Sequence, residues 1–182
     1  MVNKTSRNPV VIVGCGLSGL TVALEVAQFK KVILLTKDDP TISATAWAQG
    51  GIVHLTKDEK SIETHVQDTM KAGDGLVDQE VLEFIARSGH KATEWLINHG
   101  VVFSQDKKLN QLHLVLEGGH SVPRVAHAGD ATGRAILDVL INKALQHPNI
   151  TILKNIFVID LIENQHLTRL NHDNNIYGVY AL

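Results

Sequence analysis

Two groups of residues in this sequence have types and spacings that could do chemistry. The first is Gly14-Cys15-Gly16-Leu17-Ser18-Gly19, which fits G-x-G-x-x-G. Its glycines have separate jobs: Gly14 for a tight turn, Gly16 for the approach of backbone to a pyrophosphate, Gly19 for close packing of helix on strand. The first N–H groups of a helix that starts here have no intrahelical partner, and with the helix dipole they favour a diphosphate. The second group is Glu117, His120, Arg124 and His127, set around Gly118-Gly119 in a stretch, Leu114 to Gly133, without helical periodicity. Charged groups gathered beside a glycine turn point to a site for a small charged molecule.

Each feature also has a plainer explanation. A glycine fingerprint can be a turn in a doubly wound fold that binds nothing. Its context argues otherwise, because Val10 to Val13 reads as a strand buried on both faces and Leu20, Ala23, Leu24 and Ala27 share a helical face. Val32 to Leu35 then supplies a second parallel strand. Such folds carry an acidic residue near the end of that strand to hold ribose hydroxyls. Here Thr36-Lys37 comes first and Asp38-Asp39 follows, and a lysine cannot accept a hydrogen bond. The fingerprint alone therefore leaves the dinucleotide open. Asp39 to Gly51 is a loop of small residues with one aromatic, Trp47. It admits two readings, backbone approach to a flat ligand or a surface loop stiffened by a packed tryptophan, with Gly50-Gly51 permitting unusual backbone angles. His113, His120 and His127 are evenly spaced, which raises a metal-dependent hydrolase. Gly118, Gly119 and Pro123 break any element that could align them, so no metal is expected.

Composition excludes several classes. The chain has 182 residues, 44% hydrophobic and 20% charged, which suits a globular fold. With a net charge of −2 and no basic stripe interleaved with aromatics, no nucleic-acid function is expected. Cys15 is the only cysteine, so no intrachain disulfide can form, and it reads as a small packing residue. No apolar run is long enough to span a bilayer, and Met1 to Asn8 is polar without a signal core. A cytoplasmic protein without membrane contact is the expectation.

The elements needed to position these residues can be read in order. Helices are predicted over Gly19 to Phe29, over Ser61 to Ala72 with Ser61 as N-cap, and over Asp78 to Ser88 with Val81, Leu82 and Ile85 inward, with Lys91 to Asn98 continuing in helix with Trp95 and Leu96. Asp130 and Thr132 look like turn and cap residues for a helix over Ala135 to Gln146, with Ile136, Leu137, Leu140, Ile141 and Leu145 inward. Val101 to Ser104 reads as a short strand and Ile150 to Leu153 as a third parallel one. Phe157 to Ile162 and Ile176 to Ala181 read as an antiparallel pair joined by a polar connection. The expected class is α/β: a Rossmann-like fold with a parallel sheet and the start of an antiparallel β-meander, incomplete at the C-terminus. Residues 1–153 would form the nucleotide-binding core with a helical insertion, and 154–182 the first antiparallel strands.

Four motifs together resemble the L-aspartate oxidase family, flavoproteins related to the succinate dehydrogenase and fumarate reductase flavoprotein subunits. They are Val-Ile-Val-Gly-Cys-Gly-Leu-Ser-Gly-Leu, Trp47-Ala-Gln-Gly-Gly-Ile52, Glu117-Gly-Gly-His-Ser121 and His127-Ala-Gly-Asp-Ala-Thr-Gly-Arg134. The resemblance runs over essentially the whole chain. It implies the N-terminal part of an FAD-binding domain, with FAD contacts from Gly14, Cys15, Gly16, Leu17, Ser18, Gly19 and Lys37. It adds contacts from Ala44-Thr45-Ala46-Trp47-Ala48-Gln49-Gly50-Gly51. FAD would be non-covalent, because related enzymes attach it through a histidine in that loop and the position here is Ala44. The implied reaction oxidises L-aspartate to iminoaspartate, the first step of de novo NAD biosynthesis, with oxygen or fumarate as final oxidant. Quinolinate synthase is the implied pathway partner. Glu117 would orient the amino-acid substrate, and the catalytic residues would lie C-terminal to residue 182. The alternatives are a succinate dehydrogenase/fumarate reductase-type flavoprotein and a catalytically inert fragment.

Overall fold

The computed structural model describes residues 8–163 and 175–182. The N-terminal residues 1–7 and most of the expected polar connection, 164–174, lie outside the described residues. The chain divides into two compact units: residues 1–46 with 140–182, and residues 47–139.

The first unit is built on a parallel sheet. β1 (Val10–Val13), β2 (Val32–Leu35) and β8 (Ile150–Leu153) lie in the order β1-β2-β8, with Val10 beside Val32 and Val32 beside Ile150. Helix α1 (Leu17–Val26) packs on β1 and β2 through Leu20, Ala23 and Leu24, as the helical face predicts. It starts two residues earlier and ends three residues earlier than predicted. β1 departs from the expectation of burial on both faces: Val11 and Val13 are exposed, Val13 at 56%. The strand sits at one edge of the described sheet, α1 covers one face, and the alternating pleat sends every second side chain to the other. β2, flanked on both sides, keeps Val32, Leu34 and Leu35 buried. β9 (Val158–Glu163) and β10 (Ile176–Ala181) form the predicted antiparallel pair, β9 one residue later than expected and the ladder broken by two register shifts.

The second unit is organised by helices and short strands. α2 (Glu59–Ala72) is capped by Asp58, whose carboxylate accepts the Ser61 N–H at 3.0 Å. The expectation of Ser61 as cap is therefore off by one turn; Ser61 supplies the capped N–H. α3 (Gln79–Asn98) is one helix of 20 residues, capped by Asp78, and runs through both stretches predicted as helix. Gly89 passes through its middle, because a glycine costs a helix only about 1 kcal/mol. Leu82, Ala86, Thr93 and Leu96 face inward, whereas Val81 and Ile85 are exposed. α2 and α3 pack together, and Ile62 and Ala86 join Leu55 in a small core.

β3 (Ile52–Val53), β7 (Val125–Ala126) and β6 (Leu114–Val115) form a sheet in that order. β4 (Gln105–Asp106) pairs with β5 (Gln111–Leu112). The strand predicted over 101–104 is absent; Val101 and Phe103 are buried without ladder pairing, and strand begins at Gln105. α4 (Thr132–Gln146) starts three residues before the prediction. Thr132 lies inside its first turn, with its hydroxyl accepting the Ala128 N–H at 2.9 Å. Ile136, Leu137, Leu140 and Ile141 are buried and Leu145 is exposed.

Candidate functional site

In the first unit the glycine turn leaves β1 at the C-terminal edge of the parallel sheet, where ligands bind in open α/β folds. The Gly14 N–H donates to Leu35 C=O at 2.8 Å and extends the ladder by one residue. The chain then turns with Gly14 at φ +100°, a conformation that strongly favours glycine. Gly19 is fixed by packing: a Cβ there would stand 1.9 Å from the Gly14 carbonyl oxygen. This is the close helix–strand approach expected from the spacing. A Cβ on Gly16 would meet only the Thr45 hydroxyl, at 3.4 Å. That hydroxyl accepts the Leu17 N–H at 3.1 Å, so one of the helix-start donors is already engaged. Ser18 and Gly19 follow in the first turn, where helix geometry provides no intrahelical acceptor for their N–H groups.

A cavity of about 380 Å³ opens beside this turn, lined by Gly14, Cys15, Gly16, Lys37, Ala44 and Thr45. Ile156, Phe157 and Val158, which the sequence did not single out, supply an apolar wall. Cys15 is buried, and that burial, reinforced by the negative charge of Asp39, pushes its thiol up to about 11. Burial and a raised thiol suit the packing role read from the sequence. Asp39 is held far below the usual carboxylate range, first by Lys154 at 2.7 Å and then by the Thr41 N–H and hydroxyl. Asp39 is thereby engaged with protein, and Lys37 and Ala44 stand exposed at the cavity.

Residues 44–47 form a single 3-10 turn. Thr45 and Ala46 are half-buried; Ala44, Ala48, Gln49 and Gly50 are exposed. Trp47 is 78% exposed, so the loop is not stiffened by a packed tryptophan. Gly50 and Gly51, read as permitting unusual backbone angles, are not among the glycines with positive φ. Gly51 is needed for closeness instead: a Cβ would lie 2.3 Å from the Ala126 carbonyl oxygen on β7.

In the second unit a wider recess of about 580 Å³ is lined by Gln49, Gly50, Val115, Glu117, His127 and Asp130, with Gly129. Glu117 and His127 thus face one space. His120 and Arg124 do not join them. The Arg124 side chain is 3% exposed and pairs with Asp68 of α2 at 2.6 Å, with His120 Nδ1 at 3.1 Å from the same Nη1. The expected four-residue charged site is therefore divided: two residues line the recess and two build its support. The three evenly spaced histidines do not converge. His113 Nδ1 lies 2.9 Å from His127 Nε2, while His120 stacks on His65. Asp68 lies on α2 outside the apolar stripe of Ile62, Val66 and Met70 that marks this helix in the sequence. Its spacing of three from His65 was the available signal.

Known proteins resemble this chain in sequence and in structure. The family model described as FAD binding domain matches residues 9–182. The chain is 44% identical over 159 residues to L-aspartate oxidase 1 of Ralstonia nicotianae, covering 87% of this chain and 30% of that protein. It is 41% identical over 176 residues to L-aspartate oxidase of Vibrio cholerae, covering 94% of this chain and 32% of that protein. Among solved structures, a mutant of E. coli quinol fumarate reductase FrdA superposes with a TM-score of 0.84 at 29% identity, covering 96% of this chain and 29% of that one. The chain spans about 30% of the length of these curated relatives.

Proposed function

The chain belongs to the FAD-binding domain family, and on that premise we propose that it is the N-terminal part of an L-aspartate oxidase, binding FAD non-covalently. The observation that carries the reading is the glycine turn at the sheet edge, with Gly14 at φ +100° and Gly16 beside Thr45, opening on the cavity that Lys37 also lines. These residues fit a dinucleotide. A diphosphate needs close backbone approach, which Gly16 offers, and free helix-start donors, which the Ser18 and Gly19 N–H groups offer. Lys37 adds a positive charge at the same cavity. The stretch Trp47 to Gly51 belongs to the same proposal as a further set of cofactor contacts. Ala44 stands where related enzymes carry their attachment histidine and has no nucleophilic atom, so the cofactor is released by acid or heat.

FAD, when bound, supplies the two-electron acceptor. Oxidation of L-aspartate to iminoaspartate removes two electrons and two protons, which oxygen carries away as hydrogen peroxide or fumarate as succinate. Aspartate differs from succinate by one ammonium group. Glu117, beside the Gly118-Gly119 turn and on the recess with His127, offers the carboxylate to pair with it. Quinolinate synthase as the consumer of the product, and a cytoplasmic location, belong to the same reading. The test is turnover by a full-length oxidase that carries this chain as its N-terminal segment. Aspartate is expected to bleach the bound flavin without oxygen, and succinate to leave it oxidised. Bleaching by succinate alone would favour the succinate dehydrogenase-type alternative.

A further inference from the structure

Beyond Val115 the chain leaves the β6–β7 ladder and rejoins it at Arg124, whose N–H donates to Val115 C=O at 3.2 Å. Between them the turn at Glu117 is closed by the His120 N–H donating to Glu117 C=O at 3.2 Å, with Gly119 at φ +82°. The turn has no apolar anchor of its own, since its flanking residues Leu116 and Val122 are 59% and 45% exposed. One face of α2 holds it instead. His65, Asp68 and Ala72 follow at helical spacing. The His65 ring stacks on His120 at 5.8 Å between centroids, and a Cβ on Gly119 would lie 3.9 Å from Ala72 Cβ. Between these two contacts, Oδ2 of Asp68 accepts the Ser121 N–H at 2.8 Å, the Ser121 hydroxyl at 2.8 Å and Arg124 Nη1 at 2.6 Å.

We propose that Asp68 is a positioning residue for substrate recognition, clamping the turn through Ser121 and Arg124 so that the Glu117 carboxylate is preset for a substrate ammonium. The inference rests on the reading of Glu117 given above. A carboxylate with three donors on one oxygen fixes direction as well as distance, because charge-assisted hydrogen bonds are short and angularly selective. Arg124 ties the clamp to the sheet through its backbone, and Ser121 ties it to the turn. A preset Glu117 also spends less conformational entropy on binding.

The test has a structural and a kinetic arm. In the 182-residue chain, Asp68→Ala is expected to speed amide exchange of residues 117–121 by about tenfold, the factor set by losing hydrogen bonds to a charged acceptor. Peptides from β2 and α3 should keep their protection. Unchanged exchange at 117–121, or a uniform increase everywhere, overturns the clamp. Asp68→Asn keeps the volume and an acceptor oxygen; it gives the same pattern at a smaller factor and serves if the alanine variant does not fold. In a full-length oxidase carrying this chain, Asp68→Ala should raise the KM for aspartate about tenfold, leave fumarate reduction near its starting rate, and add nothing to Glu117→Gln. Losses that multiply with those of Glu117→Gln mean that Asp68 does not act through Glu117, and overturn the proposal. If Glu117→Gln alone changes nothing, the reading of Glu117 fails and the recognition role falls with it, while the exchange arm still decides the clamp.

Discussion

The glycine turn of the first unit and the Glu117 turn of the second unit are built in opposite ways. At Gly14 to Gly19 the geometry is set by backbone: a left-handed angle, a close approach, and N–H groups at a helix start. Everything needed lies within six consecutive residues. At Glu117 to Ser121 the contacts come from side chains, and the carboxylate that accepts from Ser121, Asp68, is 53 positions away in sequence. The first arrangement depends on the absence of a Cβ at Gly19, and the second on one carboxylate distant in sequence.

Four experiments sharpen or break that contrast. The largest effect is expected at Gly19, where alanine would collide with the Gly14 carbonyl at 1.9 Å and neither backbone can retreat. Gly19→Ala should destabilise the chain by about 3 kcal/mol, the upper end of overpacking costs, read as a lowered urea midpoint. An unchanged midpoint would show that helix and strand are not locked together. Next is Gly16→Val. The nearest obstacle to a Cβ is the Thr45 hydroxyl at 3.4 Å, so the fold should survive, while FAD affinity falls roughly a hundredfold in a flavin-fluorescence titration. Retained flavin affinity would sink the backbone-cradle reading.

Glu117→Gln keeps shape and removes charge. A hydrogen bond to a charged group contributes about 1.5–3 kcal/mol, so kcat/KM for aspartate should drop roughly ten- to a hundredfold, with fumarate reduction little changed. Equal losses in both reactions would make Glu117 a structural residue of its turn. The smallest effect is an acid one. Asp68 is lowered from 3.8 to about 2, chiefly by the Ser121 N–H and then by Arg124 and the Ser121 hydroxyl. A depressed carboxyl contributes stability that is complete above its unfolded value near 4 and is lost as pH falls through about 2. The Ser121 amide shift should therefore titrate in nuclear magnetic resonance with a midpoint near 2, and stay flat in Asp68→Asn. A midpoint near 4 would mean that the carboxylate is free of its donors.

By itself the sequence determined the parallel sheet, the glycine turn and the identity of the cavity's first wall. These depend on neighbours in the chain: four β-branched residues make a strand, three glycines at fixed spacing make the turn, and the period of Leu20, Ala23, Leu24 and Ala27 faces α1 inward. It also placed Glu117 and His127 in one charged stretch, and the structure puts both on one recess. Tertiary structure alone decided which of that stretch's residues support and which face outward. Arg124 and His120 are as polar in sequence as Glu117 and His127, yet a buried guanidinium must find a counter-charge, and only packing against α2 brings Asp68 within 2.6 Å. The same limit explains the other departures. Whether Val13 is covered, whether Val81 and Ile85 face inward, and whether Gly51 serves for angle or for closeness all depend on what lies across from them. Local periodicity carries no information about a partner that arrives from elsewhere in the chain.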